Sequence, residues 1–237
     1  MDAVLQPHAR PDHHRAGVGL VAVSTWRVGT PERQRATVDA IARAWRSREW
    51  PHAGLLSYSV CTGTDGDTLL HHSQWTSEEA YQEFFRTFRD ERNAEIDAAV
   101  PGIQRVALHR YAPPYRSAVL SEESAAAVPG SVVTVEVEFD GPDTARQRAW
   151  VDAVFTAMAD DVGTRPARGG IAAHFHLSTD GSRVLNHAEW ESEQAHVEWQ
   201  AEYAPLTDAW AAVHHFPGLS GSRVRRYTPA LSLRAGV

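Results

Sequence analysis

The sequence predicts an α+β chain in which one βαββαβ order of elements occurs twice. Three observations predict it. Short motifs recur in the same order 113 to 116 residues apart, each copy carries an Asp-Gly hairpin signal between two β-branched runs, and helical patterns with proline or serine at their starts separate the strands. Arg33-Gln34-Arg35-Ala36 with Val38-Asp39-Ala40 returns as Arg146-Gln147-Arg148-Ala149 with Val151-Asp152-Ala153. Thr64-Asp65-Gly66 and Trp75 return as Thr179-Asp180-Gly181 and Trp190, and Arg110-Tyr111 returns as Arg226-Tyr227. The small drift in offset is loop insertion.

The elements follow in order. Leu20–Trp26 and Val132–Phe139 read as first strands, and Pro31–Arg46 and Pro142–Ala159 as helices with proline where a first turn tolerates it. Leu55–Thr62 and Ile171–Leu177 are second strands. The Asp-Gly pairs then suit tight two-residue turns, because glycine accepts positive φ. Third strands are Leu69–Trp75 and Val184–Trp190. Ser77 and Ser192 stand at N-cap positions, with Thr76 and Glu79 able to form a capping box, before second helices through Tyr81–Phe88 and Ala195–Glu202. Fourth strands are Val106–Tyr111 and Ser222–Tyr227. The order is ferredoxin-like, and such a sheet has helices on one face only, so two copies in one chain can cover each other sheet to sheet. The expected organisation is a flexible N-terminal tail over 1–17, repeats over 18–113 and 131–229, a linker over 114–130, and a C-terminal tail over 230–237.

Composition narrows the function. The hydrophobic fraction is 43%, enough for a core in each copy. All 23 basic residues are arginine, yet the net charge is -7, which argues against a nucleic-acid partner. No apolar run has membrane-span length and the N-terminus has no signal-peptide centre, so the expectation is a cytoplasmic protein. Cys61 is the single cysteine, which excludes an internal disulfide and a cysteine-rich metal site. There is no GxGxxG, Walker or GxSxG sequence, so nucleotide-dependent chemistry has no anchor.

The stretch His187-Ala188-Glu189-Trp190-Glu191-Ser192-Glu193-Gln194-Ala195 resembles the hallmark of the antibiotic biosynthesis monooxygenase family, and Gln74-Trp75-Thr76-Ser77-Glu78-Glu79-Ala80-Tyr81 is similar to it. The resemblance covers both copies and implies a dimeric α+β barrel built within one chain. The superfamily includes cofactor-free quinone-forming oxygenases, haem-degrading enzymes and polyketide cyclases. In the quinone-forming members an asparagine four residues before the tryptophan, the tryptophan, and a tyrosine six residues after it line the site. Asn186 and Trp190 match in the second copy, where His196 stands at the tyrosine position; Trp75 and Tyr81 match in the first, where His71 stands at the asparagine position. Neither copy carries all three.

With the Asp-Gly pairs as turn centres, alternation sorts each hairpin into two faces. Tyr58, His71 and Trp75 share one face of the first copy; Phe175, Asn186 and Trp190 share the matching face of the second. These apolar faces should meet their own helices and hold the pocket, so Asn186, Trp190, His71, Trp75 and Tyr81 are the candidate catalytic residues, with Tyr58, Phe175 and His196 as substrate contacts. The opposite face of the second copy carries His174 and His176 two apart, with His187 across from His174, a spacing that can aim three imidazoles at one divalent metal. Glu136 or Glu138 on the neighbouring strand could support them. A water-containing polar interface accounts for the same residues.

Three functions fit. One is oxygenation of a small aromatic, polyketide-like substrate with no cofactor, the substrate's phenolate supplying the electrons; the protein would contribute proton handling by His71 or Tyr81, oxyanion stabilisation by Asn186 and a dry pocket. The second is metal chemistry at His174, His176 and His187, and the third is non-oxidative cyclisation or ligand binding. The chain is expected to act as a monomer with an internal pseudo-dimer or as a homodimer, and the second copy is the better candidate for the chemistry.

Overall fold

The computed structural model describes residues 2–6, 10–51, 54–160, 167–202 and 207–236. They form two units, Met1–Pro113 with Tyr227–Val237, and Pro114–Arg226. The first holds strands β1 (Ala3–Leu5) and β2 (Leu20–Arg27), helix α1 (Pro31–Arg46), strands β3 (Leu55–Gly63) and β4 (Thr68–Trp75), helices α2 (Glu78–Thr87) and α3 (Arg89–Ala99), and strand β5 (Gln104–Tyr111). The second holds β6 (Arg116–Val119), β7 (Ser131–Phe139), α4 (Thr144–Asp160), β8 (Gly170–Leu177), β9 (Arg183–Trp190), α5 (Glu193–Glu202), α6 (Asp208–His214) and the first part of β10 (Leu219–Ala235). The α+β class and the repeated ferredoxin-like order stand as predicted.

Within the first unit the strands lie in the order β5-β2-β4-β3, followed by the last part of β10, with β1 also paired to β10. In the second the order is the first part of β10, then β7-β9-β8-β6. All the registered pairings are antiparallel. The hairpin centres fall where the Asp-Gly pairs put them, since Thr62 faces Leu69 and Leu177 faces Val184. The connections are longer than two residues because Asp65 Oδ1 accepts from the amides of Asp67 and Thr68, and Asp180 Oδ1 from that of Ser182, which closes a wider turn around Gly66 and Gly181 at φ 74° and 78°.

The repeated Arg-Gln-Arg motif is a fastening. Gln34, buried on α1, donates through Nε2 to Gly63 O at 2.9 Å and Thr68 O at 2.8 Å, the two carbonyls at the mouth of the hairpin. Gln147 does the same on α4, with Arg183 O at 2.5 Å. Ser77 caps α2 by accepting from Ala80 N, so the capping residue is Ser77 and not Thr76. Gly19 and Gly130 enter the first strands where a Cβ would lie 2.3 Å from the carbonyl oxygen of Thr76 or Glu191, so only glycine fits.

Four expectations change. After each second helix the described residues form another, α3 and α6, where the sequence predicts one. The 114–130 linker contains β6, whose Arg116–Val119 pairs with Phe175–Ala172 and whose Arg116 lies over Phe155 at 3.7 Å. Where a tail is expected from 230, β10 continues, Leu231–Arg234 pairing with Val60–Ser57. Within the expected N-terminal tail, Ala3–Leu5 pairs with Ala235–Leu233 and His13 is buried. In the last three cases open backbone groups at a strand edge are satisfied by chain that carries little side-chain signal.

Candidate functional site: two cavities of unequal size

Each unit places a cavity between the apolar face of its sheet and its own helices. The one in the first unit has a volume of about 400 Å³ and the one in the second about 850 Å³. His71, Trp75, Tyr81 and Tyr58 line the first; Asn186, Trp190, Phe175 and His196 line the second. The structure therefore brings the predicted catalytic and substrate-contacting residues together in two sets of four.

Corresponding positions explain the difference in size. Trp26, Tyr58 and Trp45 wall the smaller cavity; register and repeat offset put Val137, Ala173 and Met158 at their places in the larger. Three bulky rings give way to small or flexible side chains. The larger cavity keeps aromatic walls elsewhere, with Phe155 edge-on to Phe175 at 5.4 Å and Trp199 at 5.3 Å from Trp190.

The polar groups differ in the same way. In the first unit, Trp75 Nε1–H donates to Ser73 Oγ at 2.9 Å, and Ser73 donates onward to Ala22 O at 3.2 Å. Tyr58 Oη lies 2.7 Å from His71 Nδ1, and Trp26 covers His71 with ring centroids 4.1 Å apart. Burial pushes the Tyr58 phenol up and the His71 imidazole down to about 3, with the nearby Arg105 charge acting further on His71 in the same direction. Tyr58 thus keeps its phenolic proton and His71 is neutral. In the second unit, Ala188 stands where Ser73 stands and Ala173 where Tyr58 stands. Trp190 is 2% exposed, and among the described residues its Nε1–H has no acceptor and the buried Oδ1 of Asn186 no donor. Two polar atoms in an apolar cavity thus lack a protein partner, and each costs on the order of 1–3 kcal/mol while unpaired.

His196 stands beside Trp190 with ring centroids 5.0 Å apart in an edge-to-face contact. Its Nδ1 accepts from Arg226 Nε at 3.0 Å, while Arg226 Nη2 donates to Gln200 Oε1 at 2.6 Å. Burial, then the Arg226 charge, lowers His196 to about 4, so it is neutral near pH 7 with its proton on Nε2. Tyr81, its counterpart, is raised by burial and stacks edge-on to Trp75 at 5.4 Å. Sequence reasoning missed Arg226, Arg92 and Arg105. A signal existed for the first, because Arg226 repeats Arg110.

The proposed metal triad is not assembled. His174 does face His187 across β8 and β9 as the register requires. The nitrogens of His174, His176 and His187 nevertheless do not all gather within 4.8 Å of one another, and His174 Nδ1 is hydrogen-bonded to Ser117 Oγ at 2.9 Å. Residues two apart on a strand are separated by about 6.6 Å, so three rings meet only if their rotamers converge. The residue beside His187 on β7 is Thr134, and Glu136 and Glu138 pair with Arg183.

The comparisons with known proteins complete the picture. No protein-family model and no curated protein matches the chain. Among solved structures it resembles an anthrone oxidase-like protein with 16% identity and a TM-score of 0.68, over 99% of this chain and 97% of that one. A candidate monooxygenase of Fusobacterium nucleatum gives 8% identity and a TM-score of 0.54, over 94% and 98%. Both share the fold. A monooxygenase of Streptomyces coelicolor, solved with nanaomycin D, is 32% identical over 43% of this chain and 88% of its own, with a TM-score of 0.37. The shared fold agrees with the resemblance carried by Gln74–Tyr81 and His187–Ala195. The chain belongs to the antibiotic biosynthesis monooxygenase family. Within that family it carries the ferredoxin-like order twice in one chain, and no described helix is long and apolar enough to cross a membrane.

Proposed function

We propose that the chain is an oxygenase of hydroxylated, polyketide-like aromatic molecules that uses no bound flavin or haem, and that the reaction takes place in the second unit's cavity. The observation that carries this reading is the pair of unsatisfied polar atoms, Trp190 Nε1–H and Asn186 Oδ1, in an apolar cavity of about 850 Å³. The donor suits an oxygen that gains negative charge; the acceptor suits a phenolic O–H. His196 Nε2–H, with the Arg226 cation behind its ring, is a second donor. The two donors favour the phenolate form of the substrate oxygen they contact, which supplies electrons to dioxygen. For an anthrone-type substrate the sum is one ring methylene plus O2 giving one carbonyl plus water. The anthrone oxidase-like fold and the nanaomycin D complex of the Streptomyces relative point to this substrate class. The reading requires no metal, nucleic acid, membrane or second chain, and suits a cytoplasmic protein with one cysteine.

Oxygen consumption with a hydroxylated anthrone tests it. Activity is expected, with Trp190→Phe lowering kcat/KM by about 10²-fold, as loss of one oxyanion donor does. Tight binding without oxygen uptake would overturn it in favour of a non-oxidative cyclase or carrier.

A further inference from the structure

The first unit's cavity is lined by Arg89, Arg92 and Arg105 and by no acidic side chain. Arg92 is 4% exposed. Its Nη1 donates to Phe88 O at 3.0 Å and its Nη2 to Glu49 O at 2.9 Å, both backbone carbonyls, while its buried Nε–H has no protein acceptor. Arg105 gives both Nη groups to the Asp97 carboxylate, at 3.2 Å and 2.9 Å, and leaves its own buried Nε–H without one. The guanidinium carbons sit 4.8 Å from the Trp45 ring centre and 4.5 Å from that of Trp26. His71, 3% exposed and neutral, is hydrogen-bonded to the Tyr58 hydroxyl through Nδ1, and its Nε2 is also buried without a partner.

Two cationic N–H donors and the His71 Nε2 therefore border one aromatic-walled cavity. Burial and the nearby Arg48 charge work against the Arg92 cation more than Glu91 and Glu95 support it, its hydrogen bonds go to backbone carbonyls, and a carboxylate in the cavity would lower that cost. Aromatic walls favour an organic anion over phosphate. Trp26, Tyr58 and Trp45 reduce the space to less than half of that in the second unit, which suits one ring rather than several.

We propose that the first unit's cavity is a second, separate ligand site for a single-ring aromatic carboxylate, received by Arg92 together with Arg105 and His71. The site stands independently of the reaction assigned to the second unit.

Salicylate is the probe and salicylamide its neutral control, titrated into the full chain by calorimetry and by quenching of tryptophan fluorescence. The expected result is one salicylate per chain, salicylamide at least about tenfold weaker, loss of salicylate binding in Arg92→Met, and unchanged binding in Asn186→Ala. Equal affinity for the amide, no binding at millimolar salicylate, displacement by equimolar inorganic phosphate, or loss of binding in Asn186→Ala rather than Arg92→Met would each overturn the proposal. Should Arg92→Met fail to fold, the acid-against-amide and phosphate comparisons decide it on the unaltered protein.

Discussion

Ala188→Ser installs in the second unit the group that satisfies the tryptophan in the first. Ser73 faces Ala22 across β4 and β2, accepts the Trp75 N–H at 2.9 Å and donates to Ala22 O at 3.2 Å. Ala188 faces Val133 in the same register and lies two residues before Trp190, so the new hydroxyl can accept from Trp190 Nε1 and donate to Val133 O. An internal hydrogen bond of this kind contributes about 0.5–1.5 kcal/mol net. Stability should rise by roughly that amount, a Tm increase of about 2–4 °C per kcal/mol for a chain of this size. A ligand oxygen must then displace the new hydroxyl, so affinity for an anthrone-type substrate should fall about fivefold, which is the same 1 kcal/mol read as a binding constant. Thermal unfolding without ligand and a fluorescence titration with it measure the two effects on one sample. Opposite signs are the signature. Loss of stability by more than about 1 kcal/mol would refute the equivalence of the two sites, and unchanged affinity would refute Trp190 Nε1 as a ligand donor.

Three further outcomes are expected. Ala173→Tyr restores the ring that Tyr58 supplies in the first unit and should weaken substrate binding in the second by more than about tenfold while leaving circular dichroism unchanged. His71 has a folded pKa of about 3 against an ordinary 6.5, so the unfolded chain binds more protons between those values and stability falls as pH falls through that window; His71→Asn should flatten this slope, read as urea midpoints at pH 7 and about 4.5, whatever it does to stability at pH 7. Gly19→Ala and Gly130→Ala should each cost on the order of 1–3 kcal/mol in chemical denaturation, because a Cβ 2.3 Å from a carbonyl oxygen forces the strand entry to move; a neutral effect would mean that this segment yields freely.

The parts of the fold legible in the sequence were those with a local or periodic cause. Positive φ at Gly66 and Gly181 follows from the residue type, and strand alternation then carried the register far enough to place His71 and Asn186 on cavity-facing positions and His174 opposite His187. Gln34 and Gln147 were legible as a repeat but not as a fastening, because the carbonyls they hold lie about thirty residues away. The strand from Leu231 to Leu233, β1 and β6 were not legible, since edge pairing is a backbone demand that many sequences satisfy. Arg92 was hidden for a related reason. Its significance comes from the Glu49 and Phe88 carbonyls and the Trp45 face, which only the folded chain assembles. The metal triad shows the converse: its register was right, but convergence of three imidazoles depends on rotamers that spacing does not determine.

A handful of substitutions separates the two cavities on one backbone plan. Where the first unit has Trp26, Trp45, Tyr58 and Ser73, the second has Val137, Met158, Ala173 and Ala188. The first three changes enlarge the space; the fourth, with asparagine in place of His71, removes the internal partners that kept the polar atoms occupied. Each change alone would be a defect, either a void lined by apolar carbon or a buried polar atom without a partner, and both are destabilising by amounts comparable to a sizeable fraction of total stability. Their coincidence at one site is what a ligand explains, since a molecule that fills the void and engages Asn186 and Trp190 offsets both costs together. The first unit takes the opposite course at the same positions: its rings fill the space, its tryptophan is satisfied, and its unsatisfied donors have moved to Arg92 and Arg105. The larger void and the orphaned Trp190 and Asn186 atoms at the family's own tryptophan and asparagine positions, together and not size alone, are what support placing the proposed chemistry in the second unit.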